Sequence, residues 1–409
     1  MRFIKNFFVV LILFCLLVSC SSLGKKENSN NTNENWVGTW ATAPQLVEPN
    51  NLPPEPGLSN NTLRQIIRVS LGGNKIRLRM SNVYSKDSLF IDAVSIAVSS
   101  DSCQVIPNSI TKLTFSRKKG IVLSPGSDIY TDPVNFKLKS NSLLAITIFY
   151  GKTTKSLTGH PGSRTTSYLL KGDQSENAVF KNSVKTDHWY SIMNLDVKTE
   201  KSSAVVAALG NSITDGRGSG TNKQNRWTDI LSQRLLVNTS TENTAVLNFG
   251  IGGNCVVRGG LGPTALNRFD YNVLNQSGVK WLIILEGIND IGGIKKAEDA
   301  PILAKELIDA YQIMIGKAHA RGIKVYGATI LPFAKSFYDA PFRQEARSTV
   351  NKWIRTSGKF DAVIDFDRLM ESNEPGVILP DMHDKDYLHP NQEGYKKMGE
   401  FVNLDLFKN

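Results

Sequence analysis

Cysteine is scarce, with only 4 among 409 residues. Cys15 and Cys20 fall in the first twenty positions, which leaves Cys103 and Cys255 for the body of the chain. Two cysteines make no disulfide framework and no zinc-ligand spacing; a single bridge between them is open to an exported protein, but they fall in different expected domains and small buried thiols are the commoner case. A long basic stripe is also missing. The formal charge is +11, but Lys and Arg are scattered, with short clusters such as Arg117-Lys118-Lys119, which excludes nucleic acid as the expected partner. The simpler account of the basic surface is a solvated face. Phosphate loops are absent too. Gly210 to Gly220 lacks the Gly-Lys-Ser/Thr ending, and Gly250-Ile251-Gly252 runs into Gly253-Asn254-Cys255 without the third glycine of a dinucleotide fingerprint. Gly-x-Ser-x-Gly does not surround Ser212, so the nucleophile elbow of the α/β-hydrolase fold is excluded. Internal repeats are not evident.

The apolar run from Phe7 to Val18 follows Arg2 and Lys5 and ends at Leu17-Val18-Ser19-Cys20. It is short for a membrane span, and a cysteine after a small residue is what lipoprotein processing requires. Residues 1–20 therefore read as a lipoprotein signal peptide, with Cys20 as the lipidation site. An ordinary secretory signal and an uncleaved anchor are the alternatives. Removing Arg2 and Lys5 with this segment would take the charge from +11 to +9. Residues 21–35, rich in Ser, Asn, Lys and Glu, cannot bury enough apolar surface to order themselves and read as a flexible tether. The expected location is outside the cytoplasm, lipid-anchored to the bacterial envelope on its periplasmic or cell-surface side, with no membrane contact beyond the anchor.

The remaining length favours two domains, and a hydrophobic share of 41% is ample for packed cores. Over residues 36–200 the pattern has period two. Lys75-Ile76-Arg77-Leu78-Arg79-Met80 alternates charge and apolar side chain, and Leu144, Ile146, Ile148 and Tyr150 repeat the rhythm. Turn chemistry at Gly72-Gly73-Asn74, Ser124-Pro125-Gly126 and Lys171-Gly172-Asp173 separates half-buried strands, which predicts a mostly antiparallel, jelly-roll-like β-sandwich. Over residues 201–409 solid apolar runs alternate with helix-length segments: Ala204 to Leu209, Ala245 to Phe249, Trp281 to Leu285, Val325 to Leu331 and Ala362 to Phe366. Leu303, Leu307, Tyr311, Met314 and Ala318 form one helical stripe. This half predicts an α/β three-layer sandwich around a parallel sheet, with ligands gathering at the carboxyl ends of its strands. Trp227, Trp281 and Trp353 lie on apolar patterns and are expected in the core.

Four polar or glycine positions fall where such a site would form. Ser212, Gly253 and Asn289 each follow an apolar run, and His389 precedes the last predicted helix with Asp386 three positions before it. A hydroxyl, an imidazole and a carboxylate to hold that imidazole supply the parts of an acyl transfer. Each residue has a plainer reading when taken alone. Ser212 would be a helix cap, Gly253 a bend, Asn289 with Asp290 a turn, and Asp386 a cap of the last helix. The carboxylates and imidazoles between Asp381 and His389 offer a metal site as an alternative. His160, in Gly159-His160-Pro161-Gly162, reads as a loop hydrogen-bonder rather than a second base.

Gly210-Asn211-Ser212-Ile213-Thr214-Asp215-Gly216, Asn248-Phe249-Gly250-Ile251-Gly252-Gly253, Gly287-Ile288-Asn289-Asp290 and Asp386-Tyr387-Leu388-His389-Pro390 resemble, in order, the four blocks of the SGNH, or GDSL-type, hydrolases. The opening Trp36-Val37-Gly38-Thr39-Trp40-Ala41-Thr42-Ala43-Pro44 and the strand-rich half resemble a bacterial subgroup that includes acetylxylan esterases. The resemblance implies a serine esterase without cofactor or metal, acting on small O-acyl groups, O-acetyl above all, of a polysaccharide or oligosaccharide such as xylan. It implies Ser212 as nucleophile, His389 as base and Asp386 as its holder. The backbone N–H groups of Ser212 and Gly253, with the Asn289 amide, become the oxyanion hole. Rival readings are a lysophospholipase or thioesterase, a carbohydrate-binding protein with an inactive hydrolase half, and an acyltransferase. Asn211 departs from the family pattern, which has aspartate there; activity is expected to survive, with an altered pH dependence.

Overall fold

The computed structural model describes residues 36–101 and 103–408. The expected signal peptide, the expected lipidation site at Cys20 and the expected tether lie outside the described residues. Period-two alternation in the first half produces antiparallel sheets. In one of them the order is Trp36–Ala41, Ile192–Lys198, Gly73–Ser81, Val134–Leu138, with Asp128–Tyr130 also paired to Gly73–Ser81. Ile76, Leu78 and Met80 are fully buried in the core, while Arg77 and Arg79 on the other face pair with Asp196 and Asp128 at 2.8 Å. A larger sheet runs Val184–Thr186, Ser167–Lys171, Asn61–Arg68, Leu143–Tyr150, Leu89–Asp101, Gln104–Val105. A small third sheet joins Trp189–Tyr190, Thr158–His160 and Gln45–Leu46.

Leu143–Tyr150 departs from the half-buried expectation. Leu144, Ile146 and Ile148 enter the main core, but Ala145 and Thr147 on the opposite face are buried as well. Phe180 covers that face in a second apolar cluster with Ile66, Ala97 and Tyr168. Arg64, 1% exposed, sits beneath it, donating to the Cys103 and Ala178 carbonyls and lying 3.8 Å over the Phe180 ring. Buried guanidinium is tolerated because its donors are satisfied and its flat face is covered.

In the second half, five parallel strands stand in the order Thr244–Gly250, Ala204–Gly210, Val279–Leu285, Lys324–Ala328, Ala362–Ile364. Every residue of Ala204–Gly210 is buried, as a central parallel strand requires. Trp227–Val237 packs on Gln392–Phe401 and Thr244–Gly250; Asp299–His319 packs on Pro341–Thr356 and Lys324–Ala328. The predicted stripe Leu303, Leu307, Tyr311, Met314 and Ala318 is buried. Trp227 and Trp281 are buried and Trp353 packs partly buried against the same core. One apolar cluster runs through both halves, so the change of period near residue 200 marks a change of architecture inside a shared interior. Cys103 and Cys255 are both free thiols. Among the described residues no helix is long and apolar enough to cross a membrane.

The order of the parallel strands fixes where a site can form. Ala204–Gly210 leads to Thr244–Gly250 on one side, whereas its other neighbour, Val279–Leu285, leads away to Lys324–Ala328, so the connections from these two strands diverge and leave a crevice between their carboxyl ends.

Candidate active site

Ser212 opens a single helical turn, Ser212–Asp215, immediately after the central strand. Asn211 caps that turn by accepting from the Ile213 N–H at 3.1 Å, and Gly216, with φ of 100°, ends it. Ser212 is 6% and His389 3% exposed, and Ser212 Oγ lies 2.9 Å from His389 Nε2. The other ring nitrogen, Nδ1, lies 2.6 Å from Asp386 Oδ2. The second carboxylate oxygen accepts from the Leu388 and His389 N–H groups at 3.0 and 2.9 Å. Partial burial would raise the Asp386 pKa, but the hydrogen bonds and charge of His389 outweigh it and hold the carboxyl far below its ordinary value. An ionised carboxylate only accepts, so Nδ1 carries the proton and Nε2 turns its lone pair to the serine hydroxyl. The arrangement can draw a proton from Ser212 and return it to a leaving group. Asp386 does not cap the last helix. Asn391 does, accepting from the Gly394 N–H at 3.0 Å.

Gly253 has φ of 68°, a left-handed conformation that glycine adopts without strain, and Leu261 would crowd any Cβ there. Among the described residues neither the Ser212 nor the Gly253 amide donates to a protein acceptor, which leaves both N–H groups available. Asn289 donates through Nδ2 to the Asn254 carbonyl at 2.8 Å and accepts from the Tyr338 hydroxyl at 3.0 Å. These two bonds orient the amide, and Nδ2 keeps a second hydrogen. Asp290 ties the loops together by accepting from the Val256 and Val257 N–H groups at 2.8 and 3.0 Å. Burial outweighs those bonds and pushes its carboxyl up to about 6. Gly253 and Asn289 share a cleft of about 630 Å³ with Arg258, Lys295, Asp299, Leu303 and Tyr338. Ser212, His389 and Asp386 thus form one connected chain of contacts, and Gly253 and Asn289 a second group.

Arg268 joins the two groups. Its buried guanidinium donates to the Gly210 carbonyl at 2.9 Å, the Phe249 carbonyl at 2.7 Å and Asn254 Oδ1 at 3.0 Å. Glu286, 2% exposed, lies 3.6 Å from it, and burial pushes the Glu286 carboxyl up to about 8 although Arg268 opposes the rise. Asn211 Nδ2 donates to Glu286 at 3.0 Å. That contact gives a physical reason for the asparagine: aspartate at 211 would set two buried carboxylates against each other and require a shared proton. Arg268, Glu286, Asn254 and Tyr338 were not singled out by the sequence. Only Glu286 carried a signal, as a charge directly after the apolar run Trp281 to Leu285.

His160 is not a loop hydrogen-bonder alone. It lies in the Thr158–His160 strand and reaches the Ser212 turn, with Nε2 2.9 Å from Asp215 Oδ1. Between Asp381 and His389, His383 Nδ1 accepts from the Tyr387 N–H while Asp386 is engaged with His389. Among the described residues no group of three or more His, Cys, Asp or Glu side chains converges as metal ligands would.

Residues 208–397 match the family model described as GDSL-like lipase/acylhydrolase. The C-terminal half of this chain is a GDSL-like domain. It has the fold of that family, with its sheet of parallel strands, and it is a carboxylic ester hydrolase. Solved structures similar to the GDSL domain include a lipolytic protein of the G-D-S-L family from Desulfitobacterium hafniense, 23% identical, covering 48% of this chain and 97% of its own, with a TM-score of 0.37. An acylhydrolase from Bacteroides fragilis is 24% identical over 49% of this chain and 88% of its own, with a TM-score of 0.35. An acetyl xylan esterase is 20% identical over 48% of this chain and 96% of its own, with a TM-score of 0.37. No curated protein matches the chain.

Proposed function

We propose that Ser212 attacks the carbonyl of a small O-acyl ester, an O-acetyl group carried by a polysaccharide or oligosaccharide such as xylan. The observation that carries this reading is the unbroken array from Ser212 Oγ through the His389 ring to Asp386, with contacts of 2.9 and 2.6 Å. His389 takes the serine proton as the Oγ–carbonyl bond forms, and gives it to the departing sugar hydroxyl as the acyl-enzyme appears. Water then repeats the sequence, with His389 again as base, and releases the carboxylic acid and free serine. Asp386 holds the ring and favours the imidazolium that forms. The Ser212 and Gly253 amides and the free Nδ2 hydrogen of Asn289 receive the negative oxygen; one such donor is worth about 3 kcal/mol.

The cleft beside Gly253 and Asn289 supports a polar substrate, since glycine backbone, Arg258, Lys295 and Asp299 make up much of its wall. A second reading has its own observation. Ile302 lines the cleft, Leu261 lies beside Gly253, and the Phe337 ring sits 4.5 Å from that of Tyr338, tilted by 57°, and all three are exposed apolar side chains suited to a longer acyl chain. We further infer that the two large antiparallel sheets face each other as a sandwich, a reading supported by Ile76, Leu78, Leu144 and Ile146 sharing one core. Helices on both faces of the parallel sheet would make three layers. Export and anchoring through Cys20, supported by the N-terminal sequence, would bring the enzyme to its polymer.

The test is acetate release from acetylated xylan, together with an acetyl-to-decanoyl series of model esters, by the wild type and by Ser212→Ala. The proposal expects wild-type acetate release, a preference for acetyl and inactivity of the variant. Preference for decanoyl overturns the substrate class, and a fully active variant overturns the nucleophile.

A further inference from the structure

The Ser212–Asp215 turn is too short to hold its own direction, because four residues form barely one cycle of helical bonds and helices of that length are not stable alone. Its orientation is set by what grips its two ends. At the first end, Asn211 is bonded to Glu286 inside the GDSL domain. At the last end, the grip comes from the strand-rich half. Asp215 Oδ1 lies 2.9 Å from His160 Nε2 and Oδ2 lies 3.3 Å from an Arg164 nitrogen, with the Asp215 side chain 3% and that of His160 5% exposed.

The chemistry of His160 is fixed by its partners. Nδ1 lies 2.9 Å from the Ala43 carbonyl, which can only accept, so Nδ1 carries a proton. Nε2 faces a carboxylate that also accepts Arg164, so the ring bridges the Ala43 backbone and the Asp215 side chain. Trp189 stacks beside it, with centroids 5.9 Å apart and planes 28° from parallel, and holds the ring plane. The surrounding chain is shaped for this contact. A Cβ at Gly162 would fall 1.9 Å from Asp215 Oδ2, so only glycine lets the carboxylate reach its partners. Arg226 donates through Nε to the Asp215 carbonyl at 2.8 Å and through another nitrogen to the Ser163 carbonyl. Asn222 N–H donates to the Arg164 carbonyl at 2.9 Å, and Gln224 to Thr165 Oγ1 at 2.9 Å.

We propose that the strand-rich half belongs to the catalytic apparatus, with His160 and Arg164 as positioning residues that act through Asp215 to aim Ser212 at His389. The Asp215 N–H donates to the Asn211 carbonyl at 2.8 Å and the Gly216 N–H to the Ser212 carbonyl at 2.8 Å, so a displaced carboxylate carries the serine with it. The substrate is untouched by this grip, which predicts a loss in kcat without a change in KM. The inference rests on Ser212 being the nucleophile.

The experiment measures kcat and KM on p-nitrophenyl acetate, and the rate of Ser212 phosphonylation by a fluorophosphonate, for His160→Ala, His160→Gln, Asp215→Ala, Arg164→Ala and the double variant H160A/D215A. A misaimed nucleophile should lower kcat and phosphonylation about tenfold to a hundredfold in His160→Ala and Asp215→Ala, with KM unchanged. His160→Gln, which keeps an N–H for Asp215, should recover part of the loss. The double variant should be no worse than the more impaired single one, since both act through one contact. Folded single variants with wild-type kcat, or losses that multiply in the double variant, overturn the inference. If the buried substitutions fail to fold, Arg164→Ala decides, because that side chain is 31% exposed: a drop in kcat at constant KM supports the grip, and wild-type kcat refutes it. Ser212→Ala separates this from the wider reading. Turnover retained there removes the nucleophile itself, whereas an inactive Ser212→Ala beside a normal Arg164→Ala and His160→Ala removes only the grip.

Discussion

The Gly73–Ser81 and Ala204–Gly210 strands use their side chains in opposite ways. The first buries alternate residues and turns arginine to acidic partners on its other face, whereas the second buries everything and ends in a polar loop. In the strand-rich half, the loss of one apolar side chain is a matter of packing. At the ends of the parallel strands, buried polar groups hold one another in place, and a single change is felt by the chemistry. Apolar core positions of the strand-rich half and polar groups around the strand ends, His160 and Arg164 among the latter, therefore fail differently, and mutation can tell them apart.

Ser212→Ala should produce the largest effect, a fall in kcat of about 10⁴-fold or more, read by ester turnover at saturating substrate. Asn289→Ala should follow at about 10²- to 10³-fold in kcat, as expected for one lost oxyanion donor. Tyr338→Phe removes only the hydroxyl that orients Asn289, so a loss of roughly tenfold or less is expected, and none once Asn289 is already alanine. Ile146→Ala, in the other half, should cost about 2–5 kcal/mol in urea unfolding while kcat of the folded protein stays at the wild-type value. A kcat that falls as steeply as that of Asn289→Ala would erase the distinction between apolar packing and the polar groups that serve the chemistry.

Glu286 sharpens the comparison through pH. Its pKa is raised in the fold to about 8, so between its ordinary value near 4.5 and 8 the native state holds a proton that the unfolded chain has lost. Its contribution to stability is fully present below the unfolded value and is lost as pH rises through the folded one. Glu286→Gln should flatten that decline in unfolding measurements between pH 5 and 9. An unchanged pH profile would mean that the Glu286 carboxyl is not the group responsible.

Much of this was legible in the sequence because it repeats locally. Alternation at residues 75–80 gave the antiparallel strands, solid runs such as Ala204 to Leu209 gave the parallel ones, and Ser212, His389 and Asp386 stood at loop positions that chemistry requires. What stayed hidden depends on partners distant along the chain. Nothing near Ala145 announces that Phe180 will cover its face, and nothing near Arg268 announces Gly210 and Asn254. Asn211 looked like a bare departure until Glu286 was placed against it, and His160 looked local until its ring was placed on Asp215. Buried polar pairs leave no period for a sequence to display.

Peptide mapping after reaction with a fluorophosphonate tests the central claim most directly, since that reagent forms a P–O bond only where a serine hydroxyl is activated. The account predicts one adduct per molecule, on Ser212, and its loss in His389→Ala. Labelling on another residue, or undiminished labelling of Ser212 without the imidazole, would contradict it.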